Sequence, residues 1–381
     1  AVAKATRAGS VVRMISSIGR QPIVPRRWSS RARARAARPR RSTVSEAAAA
    51  TPPPSEDAYD RLFALVAQDM ARVNAESEAR MRSEHTDLIP KVASHLIGAG
   101  GKRIRPVVTL AAAGICGYEG EAHLRLAAAV EFIHNATLLH DDVVDETDTR
   151  RGRATAHTVF GPKPSVLVGD FLFARSFQLM VETGHLEVLR LLSDAAAVIV
   201  EGEVLQLAHA GALAGGEDVY FQVVRGKTAA LFEAAAESGA VVAGVDAEKR
   251  EALRVYGDAL GVAFQIADDL LDYGGAAART GKAVGTDFGE GKATLPVLHA
   301  YAAGGAQDRA FWERVIIRRD QREGDFDHGL ELLRETGALE ATRASADAFA
   351  ATARAALAPF PDGPLKRAMG DIADFVVARA H

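Results

Sequence analysis

The sequence predicts an all-α protein, a single-domain helical bundle with apolar helices at its centre. From about Ala58 onward, Ala, Leu, Glu and Arg dominate, and these residues favour helix. No stretch alternates apolar and polar residues at the period of two that a half-buried strand requires. Glycine and proline break the helical stretches at Gly98-Ala99-Gly100-Gly101, Gly161-Pro162, Gly215-Gly216, Gly274-Gly275 and Pro361.

In chain order, the spacing predicts helices over 57–82, 86–97, 103–115, 121–145, 165–182, 186–210, 217–240, 246–272, 292–304 and 307–318, then 326–336, 338–357 and 363–379. No fixed-period repeat appears, which argues against a solenoid and for one domain over 57–381. With 381 residues, 48% of them hydrophobic, the chain can build a large core. A lone cysteine, Cys116, excludes an internal disulfide and a cysteine metal cluster. No apolar run approaches the ~18–20 residues of a membrane span.

Residues 1–56 are different in kind. Eleven Arg and one Lys precede the first acid, Glu46, so residues 1–45 carry about +12 of a net −3 and the remainder is strongly acidic. The arm reads as a transit peptide, as an upstream extension (the chain starts at Ala1), or as a basic arm for nucleic acid or anionic lipid. Only Trp28 interleaves with the arginines, so a stacking platform for nucleic acid has no support, and no nucleic-acid partner is expected. Ala47–Ala50 and Pro52–Pro54 read as a linker.

Two acidic clusters carry the chemistry: Asp141-Asp142-Val143-Val144-Asp145 and Asp268-Asp269-Leu270-Leu271-Asp272. On a helix, Asp141 and Asp145 share a face, as do Asp268 and Asp272, and like charges so placed repel. A repeat of this arrangement calls for a cationic partner, and the apolar residues within each cluster predict packed helices. Carboxylates without His or Cys at ligand spacing suit Mg²⁺, which is shared between a few acids and substrate phosphates. The turn Gly100-Gly101-Lys102-Arg103-Ile104-Arg105-Pro106 can wrap a phosphate but lacks P-loop spacing. Arg150-Arg151-Gly152-Arg153 sets cations beside the first cluster, and Lys227, Thr228, Gln265, Lys282 and Lys292 offer further donors. His134 lies two helical turns before Asp141, in reach of a second phosphate.

In these motifs and their order the chain resembles the trans-isoprenyl diphosphate synthases, or polyprenyl synthetases. The resemblance runs from about residue 57 to 381, through G-G-K-R-I-R-P, E-F-I-H-N-A-T-L-L-H-D-D-V-V-D-E-T-D-T-R-R-G, G-D-F-L-F, E-G-E-V-L-Q-L, K-T-A-A-L-F, F-Q-I-A-D-D-L-L-D-Y and G-K-A-T-L-P. It is nearest to bacterial octaprenyl to decaprenyl synthases, which make quinone side chains. The resemblance implies the isoprenoid synthase fold, a helical bundle with a central active-site cavity, and a homodimer. It also implies three Mg²⁺ per active site and head-to-tail condensation of isopentenyl diphosphate with an allylic diphosphate.

By the same resemblance, Asp141, Asp142 and Asp145 form the first catalytic motif and Asp268, Asp269 and Asp272 the second. Asp141, Asp145, Asp268 and Asp272 are the metal ligands, with Asp269 in support. Arg150, Lys227, Thr228, Gln265 and Lys282 face the allylic diphosphate, and Lys102, Arg105, His134 and Arg151 face isopentenyl diphosphate. Lys292 joins the substrate-binding set. The chain-length positions fall on Thr137 and Ala136, four and five residues before the first aspartate. Both are small, as are Ala127–Ala129 farther up, so an open tunnel and a long product of about C40–C50 are expected. Phe132, Phe171 and Phe173 are candidate floors.

Two other enzymological readings were weighed. A class I terpene cyclase normally lacks the second D-D-x-x-D, and a non-catalytic partner subunit tends to lose its aspartates, whereas this chain has both sets. The expected location is the cytoplasm, with the mitochondrial matrix as the alternative and transient membrane contact for product release.

Overall fold

The computed structural model describes residues 57–98, 100–274 and 285–379; the basic arm and Lys282 lie outside the described residues. The chain forms α1 (Asp57–Met81), α2 (Leu88–Gly98), α3 (Ile104–Ile115) and α4 (Ala122–Val144). A ribbon of two-residue strands, β1 (Thr149–Arg150) and β2 (Arg153–Ala154), follows, then α5 (Ala156–Phe160), α6 (Pro162–Glu182), α7 (Leu186–Ala208) and α8 (Gly216–Val224). A π-helical turn, Arg225–Ala229, joins α8 to α9 (Ala230–Ala243). Then come α10 (Ala247–Tyr273), α11 (Thr286–Gly289), α12 (Leu295–Ala303) and α13 (Ala306–Trp312). A second π turn (Glu313–Ile317), α14 (Asp325–Glu335), α15 (Ala338–Ala356) and α16 (Pro364–Ala378) complete the described fold.

The bundle is all-α, as expected, and most expected helices stand within three residues of their predicted ends. The differences are local. The stretch over 217–240 is broken by its π turn, and 307–318 ends in another. The two-residue ribbon pairs Thr149 with Ala154 and Arg150 with Arg153, and it is too short to leave a period-two signature. Val144, read as a packed residue, is exposed because α4 ends there, whereas Leu270 and Leu271 are buried.

Local chemistry accounts for the helix ends. The Asp246 side chain caps α10 by accepting from the backbone N–H of Lys249 at 2.9 Å. Pro364 opens α16, where a missing N–H costs nothing, and Gly244 closes α9 with φ 63°, a left-handed conformation that glycine adopts freely.

The core centres on α4, α9 and α10. Helix α4 packs on α6 and α3; α9 packs on α3 and α10; α10 packs on α15. Small residues let these backbones meet. A Cβ at Gly257 would lie 2.4 Å from the carbonyl oxygen of Phe232, and one at Gly239 would lie 2.6 Å from the amide nitrogen of Ala113. Cys116 is half-buried, and burial pushes its thiol up to about 11, so it is a poor nucleophile. Among the described residues, no helix is long and apolar enough to cross a membrane.

Candidate active site

The C-terminal end of α4 carries the first acidic cluster. Asp141 lies in the last turn, and Asp145 caps it, its N–H bonding to the Asp141 carbonyl at 2.8 Å. Asp142 points inward and is 1% exposed. Arg150 pairs with it: Nε and Nη2 lie 2.9 and 2.7 Å from Asp142 Oδ1. The ribbon makes this possible. Arg151 (φ 54°) and Gly152 (φ 72°) both adopt positive φ, as a tight hairpin turn demands, and so return the chain beneath α4. The same turn sends the Arg151 guanidinium over Gly101, where a Cβ would lie 2.5 Å from Nη1, and the Gly101 φ of 150° is one that residues with a side chain rarely adopt.

Lys227 joins this cluster from the π turn. Its Nζ lies 2.8 Å from the Glu203 carboxylate and 4.0 Å from Asp141 Oδ2. Close backbones set the arrangement, since a Cβ at Gly202 would lie 2.7 Å from the Lys227 amide nitrogen. Burial and the neighbouring charges of Glu203 and Asp145 push Asp141 up to about 7, against the opposing pull of Lys227 and Arg150.

The second cluster ends α10. Asp269 is buried and accepts from Tyr220 Oη at 2.6 Å and from Gln265 Nε2 at 2.9 Å. Gln265 Oε1 in turn accepts from Thr228 Oγ1 at 2.9 Å. Asp272 is 7% exposed, and its two oxygens accept the backbone N–H groups of Thr286 and Asp287 at 3.0 and 2.9 Å, capping α11. Lys292 follows α11 and pairs with Glu290 at 2.5 Å and Asp287 at 3.4 Å. Burial works against its charge, but Asp287, Glu290 and Asp145 together hold the ammonium well above its ordinary range. The two acidic clusters are thus linked through Lys227, Thr228 and Gln265.

A basic recess forms beside them. The Arg105 guanidinium lies over the Phe232 ring at 4.4 Å, with Nη1 3.3 Å from His134 Nε2. Its Nε is buried without a protein hydrogen-bond partner. Burial pushes Arg105 down to about 10. Burial, then Arg105, Arg151 and Arg150, hold His134 well below its ordinary range, so the imidazole is neutral at pH 7. Lys102 is exposed at the rim, with Nζ 4.4 Å from the Phe375 ring.

A family model, polyprenyl synthetase, matches residues 86–333. The chain belongs to the polyprenyl synthetase family. It is 46% identical over 320 residues to an octaprenyl diphosphate synthase of Escherichia coli, covering 84% of this chain and 98% of the relative. A decaprenyl diphosphate synthase from Rhodobacter capsulatus shares 56% identity and the fold, with a TM-score of 0.82 over 85% of this chain and 99% of that one. A polyprenyl synthase from Caulobacter crescentus, solved with calcium and isoprenyl diphosphate, shares 53% identity at a TM-score of 0.81, covering 85% and 98% of the two chains. This polyprenyl synthetase is a prenyltransferase with the all-α isoprenoid synthase fold.

The positions to which the resemblance assigns chain length, Ala136 and Thr137, lie on α4 one turn before the aspartates. Ala136 is 1% exposed, and Thr137 is half-buried with its hydroxyl donating to the His134 carbonyl at 2.9 Å. Helix α6, packed on α4, carries half-buried Phe171 and Phe173, and Phe132 is wholly buried. Two site residues escaped the sequence reading. Glu203 stands in the E-G-E-V-L-Q-L run and could have been noticed as an acid beside a helical glycine. Tyr220 lies 49 positions from Asp269, and no local pattern announces their contact.

Proposed function

We propose that this synthetase condenses isopentenyl diphosphate with an allylic diphosphate to build an all-trans polyprenyl diphosphate of octaprenyl to decaprenyl length, destined for a quinone side chain. The observation that carries the reading is the pair of acidic clusters, linked by Lys227, Thr228 and Gln265, beside the recess of Arg105, His134 and Arg151. One diphosphate belongs at each.

The acidic donor set fits Mg²⁺. Burial, then the like charges of Glu203 and Asp145, push Asp141 up to about 7, and Asp142 Oδ2 is buried without a hydrogen-bond partner, so a cation here relieves both costs. Asp141, Asp145, Asp268 and Asp272 would hold the metal, in keeping with an ion that shares a few carboxylates with substrate phosphates. When bound, Mg²⁺ neutralises the charge that develops on the departing diphosphate. The chain's own residues do the rest. Lys227 donates to the allylic diphosphate, Thr228 faces it with its single O–H held by Gln265, and Arg150 holds Asp142 in place. Lys292 adds positive charge near Asp145, and Lys282 is assigned to the allylic site by its motif. Arg105, Arg151 and Lys102 bind the second diphosphate, and the neutral His134 donates without adding charge. The apolar walls of α4, α6 and α9 exclude water from the allylic cation.

The long product follows from the small Ala136 and Thr137, with Ala127, Ala128 and Ala129 buried farther along the same helix. A homodimer is supported by Val200, Val204 and Leu207, exposed apolar residues at helical spacing along α7. We place the enzyme in the cytoplasm, meeting a membrane as product leaves.

Incubating the protein with Mg²⁺, labelled isopentenyl diphosphate and farnesyl diphosphate, then sizing products by reversed-phase chromatography, tests this reading. Octaprenyl to decaprenyl products are expected. A stop at C15–C20 would refute the open tunnel, and no incorporation would refute the catalytic assignment.

A further inference from the structure

Tyr220 lies on α8 and Thr228 within the π turn that follows it, and one chain of side-chain hydrogen bonds joins them through α10. Tyr220 Oη donates to Asp269 Oδ2 at 2.6 Å, Gln265 Nε2 donates to Asp269 Oδ1 at 2.9 Å, and Thr228 Oγ1 donates to Gln265 Oε1 at 2.9 Å. Chemistry fixes the direction of each bond. Ionised, Asp269 only accepts, so Gln265 turns its amide nitrogen toward it, which leaves the Gln265 oxygen for Thr228. With Asp269 fixed, the amide of Gln265 has one orientation, and so has the hydroxyl of Thr228.

The π turn makes the circuit possible. Tyr220 and Thr228 are eight residues apart. At ~100° per residue, an unbroken α-helix would set them about 80° apart around its axis. The wider π turn, in which Thr228 lies, rotates less per residue and so brings the two side chains nearer a common face. Gln265 and Asp269, at i and i+4, present the matching face of α10. The four side chains form a clasp that fits the π register and would not fit a continuous α-helix. Lys227 lies inside the clasped turn, so the same register aims its ammonium at Glu203 and Asp141.

We propose that Tyr220 is a positioning residue for prenyl transfer: through Asp269, Gln265 and Thr228, its hydroxyl holds the π turn in register and so aims Lys227 at the allylic diphosphate. The inference rests on the reading above of Lys227, Thr228 and Gln265 as the allylic face. Tyr220 touches no reacting atom. Its ring is buried beside Phe221, with centroids 5.3 Å apart, so replacement by phenylalanine removes the hydroxyl and keeps the packing.

Steady-state kinetics of Tyr220→Phe, Gln265→Ala and the double variant, with farnesyl diphosphate as the varied substrate, tests the relay. Tyr220→Phe should lower kcat/KM for farnesyl diphosphate about 10–100-fold, the usual effect of losing a supporting hydrogen bond behind a binding group. KM for isopentenyl diphosphate should stay within about twofold, because Arg105 and His134 lie outside the clasp. In the Gln265→Ala background, the same substitution should cost less than about twofold more, since the relay is already cut. Thr228→Val should reproduce the loss, and Thr228→Ser, which keeps the hydroxyl, should restore it. Unchanged kinetics in Tyr220→Phe, or losses that multiply in the double variant, would overturn the inference while leaving the allylic assignment intact. An inert Gln265→Ala would overturn both. A fall in melting temperature with kcat/KM preserved would make Tyr220 purely structural and overturn it as well.

Discussion

Arg150 meets Asp142 edge-on, with Nε and Nη2 both within 2.9 Å of the single oxygen Oδ1, while Oδ2 lies buried without a hydrogen-bond partner. Asp142 therefore sits behind its two neighbours as a buttress for the end of α4. Replacing Arg150 with methionine keeps most of the stem and strands a buried carboxylate. The expected cost is about 1–3 kcal/mol, read by urea denaturation. Adding Asp142→Asn should recover much of it. Equal stability of Arg150→Met and the parent would show that solvent already screens the pair.

The close approach of α7 to the π turn gives a second prediction. At Gly202 an added methyl meets the backbone of Lys227, which cannot step aside as a side chain would. Gly202→Ala should destabilise the protein by about 1–3 kcal/mol through overpacking. It should also reduce turnover more than it weakens isopentenyl diphosphate binding, because Lys227 moves and Arg105 does not. A variant with parental melting temperature and kcat would contradict the tight packing.

Asp141 and Asp269, both held near pH 7, predict how metal-free protein responds to acid. For each, burial is the leading cause; Asp141 is raised further by Glu203 and Asp269 by Asp287. A carboxyl whose folded value exceeds its unfolded one binds more protons when folded. Its contribution to stability is therefore greatest at low pH and is lost as pH rises from about 4 through 7. His134, held neutral, acts oppositely below its unfolded value near 6.5. The clean readout is a comparison. In EDTA, Asp141→Asn should gain stability over the parent as pH climbs from 5 to 8. A constant difference across that range would mean Asp141 titrates normally. With Mg²⁺ added, protons and metal compete, so apparent metal affinity should fall below about pH 7.

Filling the wall above the aspartates should shorten the product. Ala136 is buried where α4 meets α6, so Ala136→Phe places a ring in the path assigned to the growing chain. Chromatography should show products several isoprene units shorter, with the first condensation little affected. An unchanged product length would move the tunnel to another face of α4.

Much of this was legible in the sequence because its signals are local. Glycine and proline marked the helix ends, and the aspartate spacing placed Asp141 and Asp268 at the ends of two long helices, where the structure has them. Other features depended on partners distant in sequence. The π turn at Arg225–Ala229 is held from outside, by Gly202 on one side and by Gln265 on the other, so Lys227 and Thr228 are legible as donors while the turn that carries them is not. Asp272 read as a metal ligand, while its role in capping α11 depends on a chain return fourteen residues later. Glu203 and Tyr220 act through contacts 24 and 49 positions away, beyond any periodicity.

The glycines that press backbone on backbone, Gly239 against α3 and Gly257 against α9, have a consequence for fidelity. Side chains can swing aside, but main chains already touching cannot compress. A frame joined in this way has little give, so the growing hydrocarbon cannot widen its own passage. Termination is then a matter of length rather than of waiting time, and lowering the temperature or the co-substrate supply should change how fast product forms far more than how long it becomes.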